Sequence, residues 1–251
     1  MIYELRKKAI LSSLTSQEVV DVIDIAKELN VSPITIRRDL DRLAAEGLLK
    51  RTHGGATKND NYPIISFEGK SIENKEAKKH ICQLAATLIE VGDSVFIDCG
   101  STTFGLCQFI REKKITVITN SLPVFNALVG SEVSLNIIGG AYDNKRMAIH
   151  GEMAVDHINK YFVNKAFLGV DGISAEYGLT SNSEYESSVT KAMMENSQET
   201  ILLSDDNKIE KRCYYSFAPL NLLDVLITNK NSKKLNKLKD ASPALEIYHK
   251  A

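Results

Sequence analysis

The chain opens on a helical apolar period. Between residues 3 and 14, Leu5, Ile10, Leu11 and Leu14 fall near one helical face, with Arg6, Lys7 and Lys8 mostly on the other. Val19 and Val20 make a short extended stretch, and Asp21 is placed to cap a second helix carrying Val22, Ile23, Ile25, Ala26 and Leu29. Asn30 suits a helix end because it tolerates the left-handed conformation. Ser32 then reads as an N-cap, with Pro33 at the first helical position, where its missing N–H costs nothing. The helix that follows runs through Ile36, Leu40 and Leu43 to about Glu46, and Gly47 ends it. Leu48 to Thr52 reads as a strand, and His53 to Thr57 as a turn and return strand. Three short helices followed by a hairpin predict a winged helix-turn-helix over residues 1–57.

Residues 58–71 are polar with a Tyr-Pro break, and read as a linker. From Ile72 to Ile89 a helix buries Ile81, Leu84, Ala85, Leu88 and Ile89. Thereafter β-branched runs alternate with helical segments. Strands are expected at residues 94–98, 115–119, 135–138, 166–170, 200–203 and 224–227, with a helix from the 100–103 turn to about Glu112. Strands alternating with helices imply a mostly parallel sheet covered on both faces, so residues 72–251 form an α/β domain. The fold class is therefore α/β and multi-domain. No apolar run approaches the roughly 18 residues that span a bilayer, and the amphipathic start is unlike a signal peptide. A soluble, cytoplasmic protein without a membrane partner is expected.

Composition narrows the partner. A formal net charge of −1 argues against nucleic acid spread over the whole surface, so any DNA footprint must be local. Residues 1–58 hold ten Lys/Arg against eight Asp/Glu, and the basic ones gather on the third helix and hairpin. There Ile36, Leu40 and Leu43, at i, i+4 and i+7, face inward. Ser32, Thr35, Arg37, Arg38 and Arg42 occupy other faces, and Lys50, Arg51 and His53 lie on the hairpin. Hydroxyls and arginines of this kind hold phosphates, and an arginine pairs bidentately with a guanine edge. An isolated Arg37-Arg38 pair would read as a solvated helix face. With cap, spacing and basic hairpin in register, double-stranded operator DNA is the better partner. Cys82, Cys99, Cys107 and Cys213 have no metal-type spacing and read as buried thiols. His150 and His157 lack a metal-type partner set, so no metal and no cofactor are expected. The carboxylates at Glu184 and Glu186 read as a solvated helix start.

In the second domain, Asp98-Cys99-Gly100-Ser101-Thr102-Thr103 joins a buried strand to a helix. Such a turn offers hydroxyls, backbone N–H groups and a helix dipole to a phosphate. Polar or glycine-rich groups recur at other strand ends: Thr119-Asn120-Ser121, Gly139-Gly140, Val170-Asp171-Gly172, Gly178-Leu179-Thr180 and Ser204-Asp205. In an open parallel sheet these ends form the ligand crevice.

The N-terminal segment, with Arg6, Ser32-x-x-Thr35-Ile36-Arg37-Arg38-Asp39-Leu40 and Glu46-Gly47-Leu48-Leu49…Arg51-x-x-Gly54-Gly55-Ala56, resembles the DeoR-type bacterial regulators. So do Gly92 to Thr103, Thr119 to Ser121, Gly139-Gly140, Gly151, Phe167 to Gly172 and Gly178 to Thr180, which look like that family's effector domain. The resemblance implies an operator-binding helix and a ribose-5-phosphate isomerase-like fold that binds a phosphorylated sugar. It also implies repression of carbohydrate operons. Ser101, Thr102 and Thr103 would then hold the phosphate, and Asp98, Asn120, Asp171 and Lys191 would meet sugar hydroxyls or line the pocket. Gly100, Ser121, Gly139, Gly140, Gly172, Thr180 and Lys208 complete the candidate set. The chain departs from the family at Thr190-Lys191, where a Lys-Arg pair is common, and at Asp205-Asp206-Asn207-Lys208, where Asp-Ser-Ser-Lys is common. The extra carboxylate of Asp206 either weakens phosphate affinity or faces solvent. The alternative is a sugar-phosphate isomerase fused to a DNA-binding domain. Against it, Ser174 stands where those enzymes carry a second acid, leaving Asp171, so binding without turnover is expected. A homodimer or homotetramer follows from how few base pairs one reading head covers.

Overall fold

The computed structural model describes residues 2–17, 19–45, 48–57, 67, 70 and 74–249. The chain divides into two compact units, Met1–Glu73 and Asn74–Ala251. Most of the expected linker, together with Glu46 and Gly47, lies outside the described residues.

The first unit contains α1 (Tyr3–Gln17), β1 (Val19–Asp21), α2 (Val22–Glu28), α3 (Pro33–Ala45), β2 (Lys50–Arg51) and β3 (Gly55–Thr57). Asp21 caps α2 by accepting from the N–H of Ile23 at 2.7 Å, and Asn30 turns the chain at φ 51°. The strands form an antiparallel sheet in the order β1-β3-β2. Gly55 is required for that sheet, because a Cβ there would lie 1.8 Å from the carbonyl oxygen of Val20. Ile10, Leu14, Val20, Val22, Ile25, Leu29, Ile36, Leu40, Leu43 and Leu49 make the core. Two expectations fail on helix geometry. Leu5 sits about 140° around the helix from Ile10, and it is exposed, as is Ile23. Arg6, four residues before Ile10, instead points inward.

The second unit is built on a seven-stranded sheet in the order β15-β14-β12-β9-β4-β5-β6, every neighbouring pair parallel. Its strands are β4 (Ser94–Ile97), β5 (Thr116–Thr119), β6 (Ser134–Ile137), β9 (Val163–Leu168), β12 (Ser197–Leu203), β14 (Val225–Ile227) and β15 (Glu246–Tyr248). Alternate residues serve opposite faces. Val95, Ile97 and Phe167 join one core with Ile81, Ala85, Val124 and Leu128, while Phe96 and Leu168 join the other with Ile158, Val189, Met193 and Leu238. The six strands expected from sequence are all in this sheet. The helix expected from the 100–103 turn to Glu112 is two short helical pieces, Ser101–Phe104 and Cys107–Ile110.

Three additions were not foreseen at strand level. The last strand, β15, extends one edge of the sheet. A hairpin, β7 (Ala141–Asp143) with β8 (Ala148–His150), follows β6. A small antiparallel sheet of β10 (Gly172–Ser174), β11 (Gly178–Ser181) and β13 (Tyr215–Ala218) follows β9. These strands are short and polar or glycine-rich, so they lack the apolar runs that mark buried strands.

From β4 the chain proceeds outward through β5 to β6, then returns to place β9, and later β12, β14 and β15, on the other side of β4. The carboxyl ends of β4 and β9 therefore flank a topological switch point, where open α/β sheets bind their ligands.

Candidate DNA interface and effector cleft

In the first unit, the residues after the α2–α3 turn are fixed by local hydrogen bonds. Ser32 Oγ accepts from the N–H of Thr35 at 3.2 Å and lies 2.9 Å from Thr35 Oγ1. Three arginines are used inside the unit. Arg6 grips Asp39 through Nε at 2.6 Å and Nη2 at 3.1 Å, and Asp39 is buried. Bonding and attraction to that carboxylate raise the Arg6 pKa further, outweighing its partial burial. Arg42 lies over the Tyr3 ring, 4.1 Å from its centroid. Arg51 Nε pairs with Asp41 at 2.7 Å, and its Nη1 donates to the carbonyl of Gly55. Together these contacts tie α3 to α1 and to the hairpin. Arg42 and Arg51 thus have internal partners that the sequence reading did not give them.

Arg37 and Arg38 are exposed and make no ion pair among the described residues, and Lys50 and His53 are exposed on the hairpin. The third helix thus presents free guanidinium groups on a surface braced from behind, the arrangement that major-groove reading requires.

In the second unit, Asp98 directly follows β4. Its Oδ1 accepts from Thr103 Oγ1 at 2.7 Å and from the N–H of Gly100 at 2.9 Å, and its Oδ2 accepts from the N–H of Gly169 at 2.6 Å. Burial pushes its pKa up, while these hydrogen bonds act the other way. The carboxylate braces the β4 turn against the end of β9 rather than standing open. Thr103, wholly buried, also offers its hydroxyl to the carbonyl of Gly100 at 2.7 Å. Ser101 differs: the buried ammonium of Lys78, from the helix Lys75–Thr87, donates to its Oγ at 3.0 Å. Thr102 is buried beside it. Lys208 Nζ reaches the carbonyl of Val170, at the end of β9, at 2.6 Å. Two lysines therefore converge on the switch point.

The remaining candidates separate by location. Asp171 accepts from the N–H of Asn182 at 3.0 Å, and Thr180 Oγ1 donates to the carbonyl of Gly172 at 3.1 Å, so both knit β10 to β11. Asn120 Nδ2 donates to the carbonyl of Ile149 at 3.0 Å, and Ser121 Oγ accepts from the N–H of Val124 at 3.4 Å; both lie buried where β5 meets β8. Gly139 donates to His157 Nδ1 at 3.1 Å, and a Cβ on Gly140 would lie 2.8 Å from the carbonyl oxygen of His150. Lys191 is not brought to the strand ends with the others. It lies exposed on the helix Glu184–Glu195, 3.8 Å from Glu195. Asp206 does not face solvent: it is buried, with Lys230 at 3.2 Å and Lys234 at 3.8 Å.

The expected solvated helix start needs correction. Ser183 does cap that helix, but Glu186 turns inward and accepts from Arg146 Nε at 2.7 Å and also from Nη2. The pair is almost sealed, with side-chain exposures of 5% for Arg146 and 12% for Glu186. Burial alone would lower the Arg146 pKa, and the Glu186 carboxylate reverses that, keeping it charged. The Cys99 thiol, 3.5 Å from Glu186 Oε1, is held protonated by burial and by that neighbouring charge. Sequence reasoning left Arg146 and Lys78 out, and weighed His150 only as a metal ligand and Glu186 only as a solvated carboxylate. Arg146 stands in a polar loop and Lys78 in an ordinary amphipathic helix, so only burial singles them out.

The DeoR-like helix-turn-helix domain family matches residues 6–62, and the DeoR C terminal sensor domain family matches residues 73–230. The transcriptional repressor GlcR of Bacillus subtilis is 33% identical, covering 92% of this chain and 90% of that protein. A lactose phosphotransferase system repressor of Streptococcus mutans is 33% identical over 94% of this chain and 96% of its own. The L-fucose operon activator of Haemophilus influenzae is 32% identical over 90% and 92%. Among solved structures, the sorbitol operon regulator SorC of Klebsiella pneumoniae aligns with a TM-score of 0.43 at 15% identity, over 94% of this chain and 99% of its own. Ribose 5-phosphate isomerase A of Methanocaldococcus jannaschii aligns at 0.40 and 20% identity, over 54% and 55%. Two domain matches in series and relatives at about a third identity along nearly the whole chain place this protein in the DeoR family of helix-turn-helix transcriptional regulators.

Proposed function

We propose that this protein represses an operon of carbohydrate metabolism and is switched by a phosphorylated sugar bound at the carboxyl ends of β4 and β9. The observation that carries the effector reading is the buried Lys78 ammonium on Ser101 at the switch point, with Lys208 nearby. A cation held on a hydroxyl beside a strand-to-helix turn is an anion site in waiting. The phosphate is assigned to Ser101, Thr102 and Lys78, with Thr103 and Asp98 shaping the turn. The relatives named for sugar operons support the choice of a sugar phosphate.

On the DNA side, Arg37 and Arg38 read bases and phosphates, Ser32 and Thr35 set the helix start against the backbone, and Lys50 and His53 extend the contact. Arg42 and Arg51 act by positioning α3 and the hairpin. A homodimer or homotetramer supplies two reading heads, and the effector acts by favouring one arrangement of them. The protein works in the cytoplasm, where operator DNA lies; no helix among the described residues is long and apolar enough to cross a membrane.

The reading is non-catalytic. Isomerisation needs a carboxylate free to move a proton. Ser174 accepts a hydrogen bond from the N–H of Tyr177 at 3.1 Å, and Glu186 is held by Arg146. Fluorescence anisotropy on DNA from the promoter of the adjoining operon tests both halves. Specific binding should fall with Arg37→Ala and should respond to one sugar phosphate of a panel. Binding indifferent to sequence, or to every sugar phosphate, overturns the proposal.

A further inference from the structure

His150 ends β8, is 5% exposed, and has no hydrogen-bond partner among the described residues on either ring nitrogen. Buried polar atoms without partners are costly and uncommon, and an apolar side chain of similar size would avoid the cost. The ring sits within electrostatic reach of Glu186, Asp143 and Arg146, and β8 packs against the helix that carries Glu186. Burial lowers its pKa and keeps it neutral. A neutral imidazole presents one donor and one acceptor. Within that reach Arg146 Nε donates to Glu186 at 2.7 Å, a buried ion pair. A second orphan, Asn120 Oδ1, lies where the same strand crosses the end of β5.

The stability of the fold does not account for this group. Buried ion pairs are commonly replaceable by apolar side chains without loss. Neighbouring hydroxyls of a sugar, each able to donate and accept, would satisfy these groups.

We infer that His150, with Arg146 and Glu186, forms the subsite that reads the hydroxyl-bearing end of the bound sugar phosphate. The inference rests on the strand-end cleft proposed above, and assigns it a second end: Lys78 and Ser101 take the phosphate, and the group at the end of β8 distinguishes one sugar from another. The hairpin is pinned at this end by main-chain bonds from Leu122 N–H to the Met147 carbonyl and from Ile149 N–H to the Asn120 carbonyl. The subsite therefore stands on fixed backbone.

The test uses the full-length protein, titrated with inorganic phosphate, ribose 5-phosphate, glucose 6-phosphate and fructose 6-phosphate, read by calorimetry and thermal shift. For His150→Leu, the ligand-free melting temperature should hold or rise and the Kd for inorganic phosphate should not change. The Kd for the preferred sugar phosphate should weaken about tenfold, the loss of one good hydrogen bond. His150→Gln, which keeps a donor and an acceptor, should recover part of that loss. Glu186→Gln should change the order of preference among the sugars, and it serves if His150→Leu fails to fold. Sugar-phosphate binding by His150→Leu within twofold of wild type overturns the inference alone. So does a lowered ligand-free melting temperature with preference intact, which marks a packing residue. Wild-type protein indifferent to phosphate and to all three sugars overturns the cleft itself, and the subsite with it.

Discussion

Arg6→Met tests whether α3 is braced as the structure describes. The change removes the guanidinium that grips Asp39 and leaves a carboxylate buried without its partner. Breaking a buried ion pair from one side costs about 3–5 kcal/mol. With side chains 13% and 7% exposed, this pair belongs at the lower end, about 3 kcal/mol. A unit of this size holds only about 3–9 kcal/mol in all. The N-terminal unit should therefore lose about 12–24 °C of melting temperature, and operator binding should fail well before the second unit unfolds. Arg6→Met/Asp39→Leu, which removes both charges, should recover most of the loss. Circular dichroism melts with operator binding at each temperature provide the assay. A single variant melting within 3 °C of wild type, or a double variant no better than the single, refutes the reasoning.

Four further outcomes are expected. Arg37→Ala should cost about 1–3 kcal/mol in operator binding and relax specificity at one base pair, whereas Lys50→Ala should weaken all sequences alike and lower the salt slope by about one; competition binding at several salt concentrations separates them. Lys78→Met should abolish stabilisation by inorganic phosphate and by sugar phosphates while ligand-free operator binding stays intact, as thermal shift and anisotropy would report. Asp98→Ala strands the buried N–H of Gly169 and should destabilise the second unit by about 1–3 kcal/mol in urea unfolding. His150 gives a pH dependence. Burial holds its folded pKa below the ordinary value, against the pull of Glu186 and Asp143 and with the help of Arg146. Its share of stability is thus complete above about pH 6.5. It is lost as pH falls toward the folded pKa, by at most about 1.4 kcal/mol per pH unit. His150→Leu should remove that slope, and equal slopes in the two proteins would contradict it.

Much of the fold was legible because its signals are local. Caps at Asp21 and Ser32, the proline at position 33, the i, i+4, i+7 stripe of Ile36, Leu40 and Leu43, and the β-branched runs of the large sheet each fix a conformation within a few residues. The short strands β7, β8, β10, β11 and β13 were not legible at strand level, because long-range pairing rather than apolar content holds them. On the DNA side, the sequence found the exposed cations but also counted Arg42 and Arg51 among them. It set Arg6 on the outer face, although four residues from Ile10 is the same face of a helix.

Sequence alone determined the two-unit architecture, the third helix of the first unit and the parallel strands of the second, since helix caps and sheet periodicity are written in neighbouring residues. Tertiary structure decided which polar groups are free. Asp98 and Asp39 look available in the sequence and are both engaged, while Lys78, Arg146 and His150 look unremarkable and are buried, and Glu186 is nearly so against Arg146. The partners of Asp39, Lys78 and Glu186 lie 33, 23 and 40 residues away in the chain. Hydrogen bonds at that separation exist only once helix packing in the first unit, or the sheet and its crossovers in the second, has brought distant segments to about 3 Å of each other.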